Sequence, residues 1–192
     1  MKRITFFTMT IMTAWLLQSC GGNANRNKDS VDSAKDVNEA TVNEVKAVDE
    51  KSTDFAVKAA NGGMMEVELG KMAQEKGVSQ RVKDFGAMMV SDHTKANDEL
   101  KAIATAKNIT LPGTLGEDMQ KHVNDLNKKT GKDFDKAYMD MMTDDHEEDV
   151  SEFDKAAGNL EDPELKTFAS NTLPTLRTHL DSAKAVKASL KK

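Results

Sequence analysis

Hydrophobic residues recur at intervals of three and four along four long stretches of the chain, which is the pattern of amphipathic α-helices. These predicted long helices cover residues 53–76, 79–107, 131–157 and 163–190. Short turns join the first helix to the second and the third to the fourth, so each pair is predicted to form an antiparallel hairpin. Asp162 and Pro163 are a typical N-cap and first residue for the fourth helix.

The connection between the second and third long helices is much longer. Thr114-x-x-Glu117 resembles a capping box and predicts a short helix over residues 114–129. That helix spans roughly 24 Å and the extended segment 108–113 adds roughly 20 Å, which matches a long helix of roughly 42 Å. We therefore predict an all-α, ferritin-like four-helix bundle with a long crossover containing a short helix. The alternative is an up-down-up-down bundle with an added surface helix.

The N-terminus predicts a targeting signal. Lys2 and Arg3 precede an apolar run over residues 4–17, which is too short to span a bilayer and suits a signal peptide. The run ends in Leu17-Gln18-Ser19-Cys20, which resembles a bacterial lipobox, and the resemblance implies cleavage before Cys20 and its lipidation. We predict a lipoprotein signal peptide over residues 1–19 and a membrane anchor at Cys20. The alternative is an ordinary signal peptide with a chance cysteine.

Composition supports a helical domain behind a tether. Charged residues make up 31% of the chain and aromatic residues 5%, so the usual strand formers are scarce. Residues 20–52 are rich in Asn, Asp, Lys, Ser and Glu, and predict a flexible tether that carries the lipidated cysteine. The alternative for part of it is a weak helix, because its valines recur at loosely helical spacing, at positions 31, 37, 42, 45 and 48. The bundle is then expected over residues 53–192.

Charge and cysteine usage exclude several functions. The 27 basic and 32 acidic residues are mixed along the chain, whereas nucleic-acid binders concentrate basic residues on one face. We therefore expect no nucleic-acid partner. Cys20 is the only cysteine, and its lipidation would leave no thiol for a disulfide, a thiolate metal site or cysteine catalysis.

Each predicted long helix carries one ionisable residue near its midpoint: Glu66, His93, His146 and His179. Helix midpoints meet at one level of a bundle, so we expect these side chains to form one polar layer. Imidazole and carboxylate groups suit one transition-metal ion, such as Fe, Zn, Cu or Mn. Asp92 and Asp145 are candidates to orient an imidazole, and Asp149 is a further carboxylate. The alternative is a hydrogen-bonded network without an ion. His122, on the crossover helix, is interpreted as a surface residue.

Four motifs resemble domain-of-unknown-function family 4142: residues 63–73 around Glu66, residues 89–97 around His93, Phe134-Asp-Lys-Ala-Tyr138 with His146, and residues 173–180 around His179. The resemblance implies a ferritin-like bundle in the bacterial envelope, with no assigned activity. Ferritin-like iron sites use Glu-x-x-His pairs. Here the residues three before the histidines are Val90, Thr143 and Leu176, so any site is expected to be histidine-rich and mononuclear.

Two functional hypotheses follow. The first is a lipid-anchored helical bundle without enzymatic activity, held at the outer membrane facing the periplasm and acting in envelope maintenance or stress response. The second is a metal-binding or metal-dependent redox protein that uses Glu66, His93, His146 and His179. A module that binds another envelope protein through its acidic faces is a further alternative.

Overall fold

The computed structural model describes residues 28–44 and 48–190. The predicted signal peptide, Cys20 and the first part of the tether lie outside them. The described residues form six helices and confirm the all-α fold. None of these helices combines the length and the apolar composition that crossing a membrane requires. The helices are α1 (Ser30–Glu44), α2 (Glu50–Lys76), α3 (Gln80–Ala106), α4 (Glu117–Asn127), α5 (Gly131–Asn159) and α6 (Pro163–Ser189).

The four long helices, α2, α3, α5 and α6, form a bundle with two apolar clusters, one toward each end. One cluster joins the start of α2 (Phe55), the end of α3 (Leu100), the end of α5 (Phe153) and the start of α6 (Phe168). Helices α3 and α5 therefore end at the same end of the bundle and run parallel. The other cluster includes Val123 and Leu126 of α4. The connection between α3 and α5 thus runs the length of the bundle, as its length predicts.

Polar side chains fix both ends of the bundle. The Asp162 carboxylate accepts hydrogen bonds from the backbone N–H groups of Glu164 and Leu165, at 3.1 and 3.0 Å, so the predicted N-cap of α6 is confirmed. Ser79 is the N-cap residue of α3, but its side chain makes no capping bond. The buried Asp135 carboxylate of α5 instead accepts from the N–H groups of Val78 and Ser79, at 3.0 and 2.8 Å. A residue distant in sequence therefore holds the turn between α2 and α3.

The predicted start of the crossover helix is wrong by three residues. Helix α4 begins at Glu117 with Gly116 as its N-cap, and Thr114 does not cap it. The N–H of Glu117 donates to the Asp29 carboxylate, and the N–H of Thr114 approaches Ser30 Oγ at 3.4 Å. The start of α4 therefore contacts the start of α1, through Asp29 just before that helix and Ser30 as its first residue, which a local capping motif does not include.

The predicted flexible tether over residues 20–52 differs from the structure in its described part. Residues 30–44 form α1, which packs on α2, and α2 begins at Glu50 rather than at residue 53. Asn38 exchanges two hydrogen bonds with the backbone of Thr110, at 2.7 and 3.0 Å. Over residues 30–41 of α1, the part whose side chains are described, the buried residues are Ala34 and Asn38. The sequence of α1 therefore lacks a strong hydrophobic stripe.

Candidate metal centre

The middle of the bundle carries the predicted polar layer. Glu66, His93, His146 and His179 come from α2, α3, α5 and α6, and their exposed fractions are 0%, 7%, 0% and 1%. The three imidazole rings lie together, with centroids 5.7 Å apart for His93 and His146, 5.4 Å for His93 and His179, and 5.3 Å for His146 and His179. Similar-length helices therefore bring their midpoints to one level.

Hydrogen bonds assign the protonated nitrogen of two of these rings. Nδ1 of His146 lies 2.9 Å from the carbonyl oxygen of Met142, which only accepts, so this nitrogen carries the proton and donates it. Nε2 of His179 lies 3.0 Å from the Asp92 carboxylate, so it donates in the same way. In the neutral rings, the lone pairs therefore lie on Nε2 of His146 and on Nδ1 of His179.

These two lone-pair nitrogens face each other. Nε2 of His146 and Nδ1 of His179 are 3.3 Å apart, and no proton remains between two neutral rings to join them. Nε2 of His93 is buried and has no hydrogen-bond partner among the described residues. One ring nitrogen from each of the three histidines lies within 4.8 Å of the other two. Three ring nitrogens thus surround one point, and a cation at that point would relieve the repulsion between their lone pairs.

Electrostatics keep these imidazoles in the form that binds metals. Burial lowers the pKa of His93 well below its ordinary value, and the neighbouring His146 and His179 lower it further. Burial and His179 lower the pKa of His146 to about 4. Burial also lowers the pKa of His179, with Asp92 acting in the opposite direction. All three rings are therefore neutral near pH 7, as metal ligation requires.

Glu66 lies on the other side of His146. Its Oε1 is 3.5 Å from Nδ1 of His146, the nitrogen that faces away from the three-histidine cluster. One oxygen of Glu66, one oxygen of Asp145 and a nitrogen of His146 lie within 4.8 Å of one another. Burial, followed by the effects of Asp145 and Asp149, raises the pKa of Glu66 well above its ordinary value. The polar layer therefore has two parts that share His146.

A groove between α3 and α6 leads to the three-histidine cluster. Its volume is about 280 Å³, and it reaches His93 and His179. Polar and charged side chains line it: Asp92, Lys95, Glu99, Asn171, Thr172 and Thr175. The half-exposed Asp92 is thus both the hydrogen-bond partner of His179 and part of the groove wall. Two of the three histidines of the cluster therefore form part of the groove wall.

Comparison with known sequences places the chain in a family. The model of a domain of unknown function, DUF4142, matches residues 37–186. The chain belongs to the DUF4142 family. A crystal structure of a DUF305 fragment from Deinococcus radiodurans is similar at 12% sequence identity and a TM-score of 0.65, over 74% of this chain and 99% of that one. This likeness shows the fold alone. No curated protein matches the sequence significantly.

In this DUF4142 chain, the candidate ligands fall into two groups rather than one set of four. His93, His146 and His179 lie together, and Glu66 joins Asp145 and His146. Asp92 holds an imidazole, but it is that of His179 on α6 rather than that of the adjacent His93. Asp149 is half-buried, and burial followed by the charge of Asp145 raises its pKa well above the ordinary value. His122 is exposed on α4, as interpreted from the sequence.

Two groups near the site do not follow from the sequence pattern. The Met142 carbonyl fixes the ring of His146 through an i to i−4 contact, which any residue at position 142 could supply. The hydroxyl of Tyr138 is buried and has no hydrogen-bond partner among the described residues. Tyr138 carries a partly apolar side chain on an apolar stripe, so its sequence position indicates only a core residue. Burial and the nearby Glu66 raise its pKa well above the ordinary value.

Proposed function

We propose that this DUF4142 protein binds one transition-metal ion through His93, His146 and His179. The observation that carries the proposal is the convergence of three imidazole nitrogens whose lone pairs have no donor among the described residues. A hydrogen-bonded histidine network would instead place a proton between each pair of facing nitrogens. A metal ion satisfies all three lone pairs at once.

The surroundings of the rings support metal ligation. Metal-bound histidines usually donate their second N–H group to a carboxylate or a backbone carbonyl, which fixes the ring and makes it a better ligand. His179 donates to Asp92 and His146 donates to Met142. Three neutral imidazoles favour Zn, Cu or Fe, whereas Mn prefers oxygen ligands. We infer a fourth coordination position that is filled through the groove beside His93 and His179, as in zinc sites with three protein ligands.

The same proposal places the protein on a membrane through lipidated Cys20, at the outer membrane facing the periplasm. Support comes from the lipobox-like sequence that ends at Cys20 and from the apolar run before it. The role in envelope maintenance or stress response stays a prediction. In either role, the metal ion is held inside the bundle and exchanges through the groove.

The test measures metal in the full chain, purified in detergent without a metal-binding tag. After exposure to Zn, Cu or Fe and removal of excess metal, elemental analysis should find metal bound at a stoichiometric level. His93→Gln and His179→Gln should reduce the affinity strongly, and His122→Gln, on the exposed face of α4, should not. Asp92→Ala should weaken binding about 10- to 100-fold through His179, whereas Asp98→Ala, at an exposed position of α3, should not. A wild-type protein that stays metal-free would refute the proposal.

A further inference from the structure

Glu66 is the feature of the core that one three-histidine site leaves unexplained. Its side chain is fully buried, and neither carboxylate oxygen has a hydrogen-bond partner among the described residues. Burying an ionised carboxylate is costly unless a positive charge or a proton neutralises it. No Lys or Arg among the described residues forms an ion pair with Glu66, whose one ion-pair neighbour is the ring of His146 at 3.5 Å. A proton shared with Asp145, which raises the pKa of Glu66, or a bound cation can neutralise this carboxylate.

Carboxylates and a committed N–H group surround Glu66: Asp145 and Asp149 are acidic, and Nδ1 of His146 already donates its proton to the Met142 carbonyl. An oxygen of Asp145 and a nitrogen of His146 lie within 4.8 Å of the nearest Glu66 oxygen. Asp149, also on α5, adds a negative charge that acts on Glu66. The unpartnered Tyr138 hydroxyl lies within electrostatic reach of the same carboxylate. Oxygen and nitrogen atoms thus surround a negative point in the core, next to the three-histidine cluster.

We propose that Glu66, Asp145 and His146 form a second cation site, which takes a divalent first-row metal ion beside the ion held by the three histidines. Two carboxylates and one imidazole suit Mn, Fe or Zn, so this site is richer in oxygen than its neighbour. The inference builds on the proposed function, because His146 contributes Nε2 to the first site and Nδ1 to the second.

Filling both sites changes the protonation of His146. In the metal-free protein Nδ1 carries a proton and donates it to the Met142 carbonyl. A cation on Nδ1 displaces that proton, together with any proton that Glu66 shares with Asp145, and these protons leave to solvent. His146 would then serve both sites, one through each ring nitrogen. No oxidant or reductant takes part.

Counting bound ions distinguishes this inference from the proposed function. The full chain in detergent is exposed to Zn²⁺, which accepts both ligand sets, and native mass spectrometry counts the ions on each molecule. We expect two ions in the wild type and one in Glu66→Gln, which keeps the side-chain shape and removes the charge. Glu68→Gln, two residues along α2 at an exposed position, is the matched control and should keep two ions. Asp145→Asn provides a second variant and should keep one ion.

Circular dichroism and thermal unfolding confirm that each variant is folded before ions are counted. A wild type that binds one ion, with the number unchanged in Glu66→Gln, would overturn the second site and leave the three-histidine site standing. It would mean that Glu66 is neutralised by a proton shared with Asp145. Two ions in both wild type and Glu66→Gln would also overturn it, because the second ion would lie elsewhere. A wild type that binds none would overturn both proposals.

Discussion

The interior of each hairpin differs in kind from the seam between the hairpins. Helix α2 contacts α3, and α5 contacts α6, more extensively than either hairpin contacts the other. Between α2 and α3 the backbones approach closely at Gly70 and Gly86. A Cβ added at either glycine would lie 2.7 Å from the backbone oxygen of the other. Because glycine has no side chain, these two helices approach closely at Gly70 and Gly86, and apolar packing stabilises the hairpin.

The seam between the hairpins is crossed by the two apolar clusters and, in addition, by polar contacts at three levels. At one end, Lys107 beyond α3 pairs with Asp162 at the start of α6, at 2.7 Å. At the other end, Asp135 of α5 holds the turn between α2 and α3. In the middle, Asp92 and His93 of one hairpin meet His179 of the other. Apolar clusters cross the seam toward both ends of the bundle, and the polar contacts add specific pairings between the hairpins, so a bound metal ion would strengthen the middle of the seam.

Metal loading should produce the largest effect. A ligand that binds only the native state at 1,000 times its Kd raises the free energy of unfolding by about 4 kcal/mol. For a domain of this size, that raises Tm by roughly 12 °C. Thermal unfolding with and without Zn²⁺ measures the shift. We expect His122→Gln to keep it and His93→Gln to lose most of it. An equal shift in all three proteins would show that zinc acts elsewhere.

The metal-free seam should respond to pH through its histidines. His146 has a pKa of about 4 in the folded protein, below its value of about 6.5 in unfolded chains. The unfolded chain therefore binds more protons between these values, and stability present above pH 6.5 is lost as pH falls toward 4. This loss amounts to about 3 kcal/mol for His146.

The carboxylates act in the opposite direction. The pKa values of Glu66 and Asp149 are raised, mainly by burial, so the stability that they contribute at low pH is lost as pH rises through their folded values. Denaturant unfolding of the metal-free protein from pH 4 to 8 separates the two effects. In His146→Gln, the free energy of unfolding should fall less as the pH is lowered. In Glu66→Gln, it should fall less as the pH is raised. Unchanged profiles would contradict the assigned shifts.

Asp135→Ala should weaken the seam without touching the metal ligands. The carboxylate is buried and accepts two backbone N–H groups, so its removal leaves both donors unpaired. We expect a loss of about 2 kcal/mol in the free energy of unfolding, with the zinc affinity within about threefold of wild type. Asp133→Ala, at an exposed position of α5, is the control and should change little. A loss no larger than the control's would show that this contact does not hold the turn.

Gly86→Ala should disturb the interior of the α2–α3 hairpin. The new methyl group would meet the Gly70 oxygen at 2.7 Å and Ala73 Cβ at 2.8 Å. Overpacking costs about 2 kcal/mol, and the better helix propensity of alanine offsets about 1 kcal/mol of that. We therefore expect a net loss of about 1 kcal/mol by denaturant unfolding. Gly62→Ala is the control, because nothing lies within 4 Å of the added atom. A variant more stable than this control would indicate that the helices adjust without strain.

The sequence predicts the level of the site along the bundle axis better than the direction in which each side chain points. His93, His146 and His179 lie at helix midpoints, so their common level follows from helix length alone. Their rotation about each axis does not, and Glu66 therefore faces the far side of His146 rather than joining the three rings. Asp92 was expected to orient an imidazole, but adjacent residues on a helix point about 100° apart, so it reaches His179 across the seam.

Long-range polar contacts are the part of the fold that the pattern misses. Asp29 satisfies the start of α4, and Asn38 pairs with Thr110. Both contacts join segments more than 70 residues apart in sequence. Hydrophobic periodicity detects apolar faces, so the loosely helical spacing of the valines in this segment indicates α1 only weakly.

X-ray absorption spectroscopy tests the three-histidine site most directly. The full chain is loaded with one equivalent of Zn²⁺, and the zinc edge reports the number and type of its ligands. We expect three imidazole nitrogens at about 2.0–2.1 Å in the wild type and two in His93→Gln. A first shell made mainly of oxygen, or an imidazole count that His93→Gln leaves unchanged, would contradict this prediction.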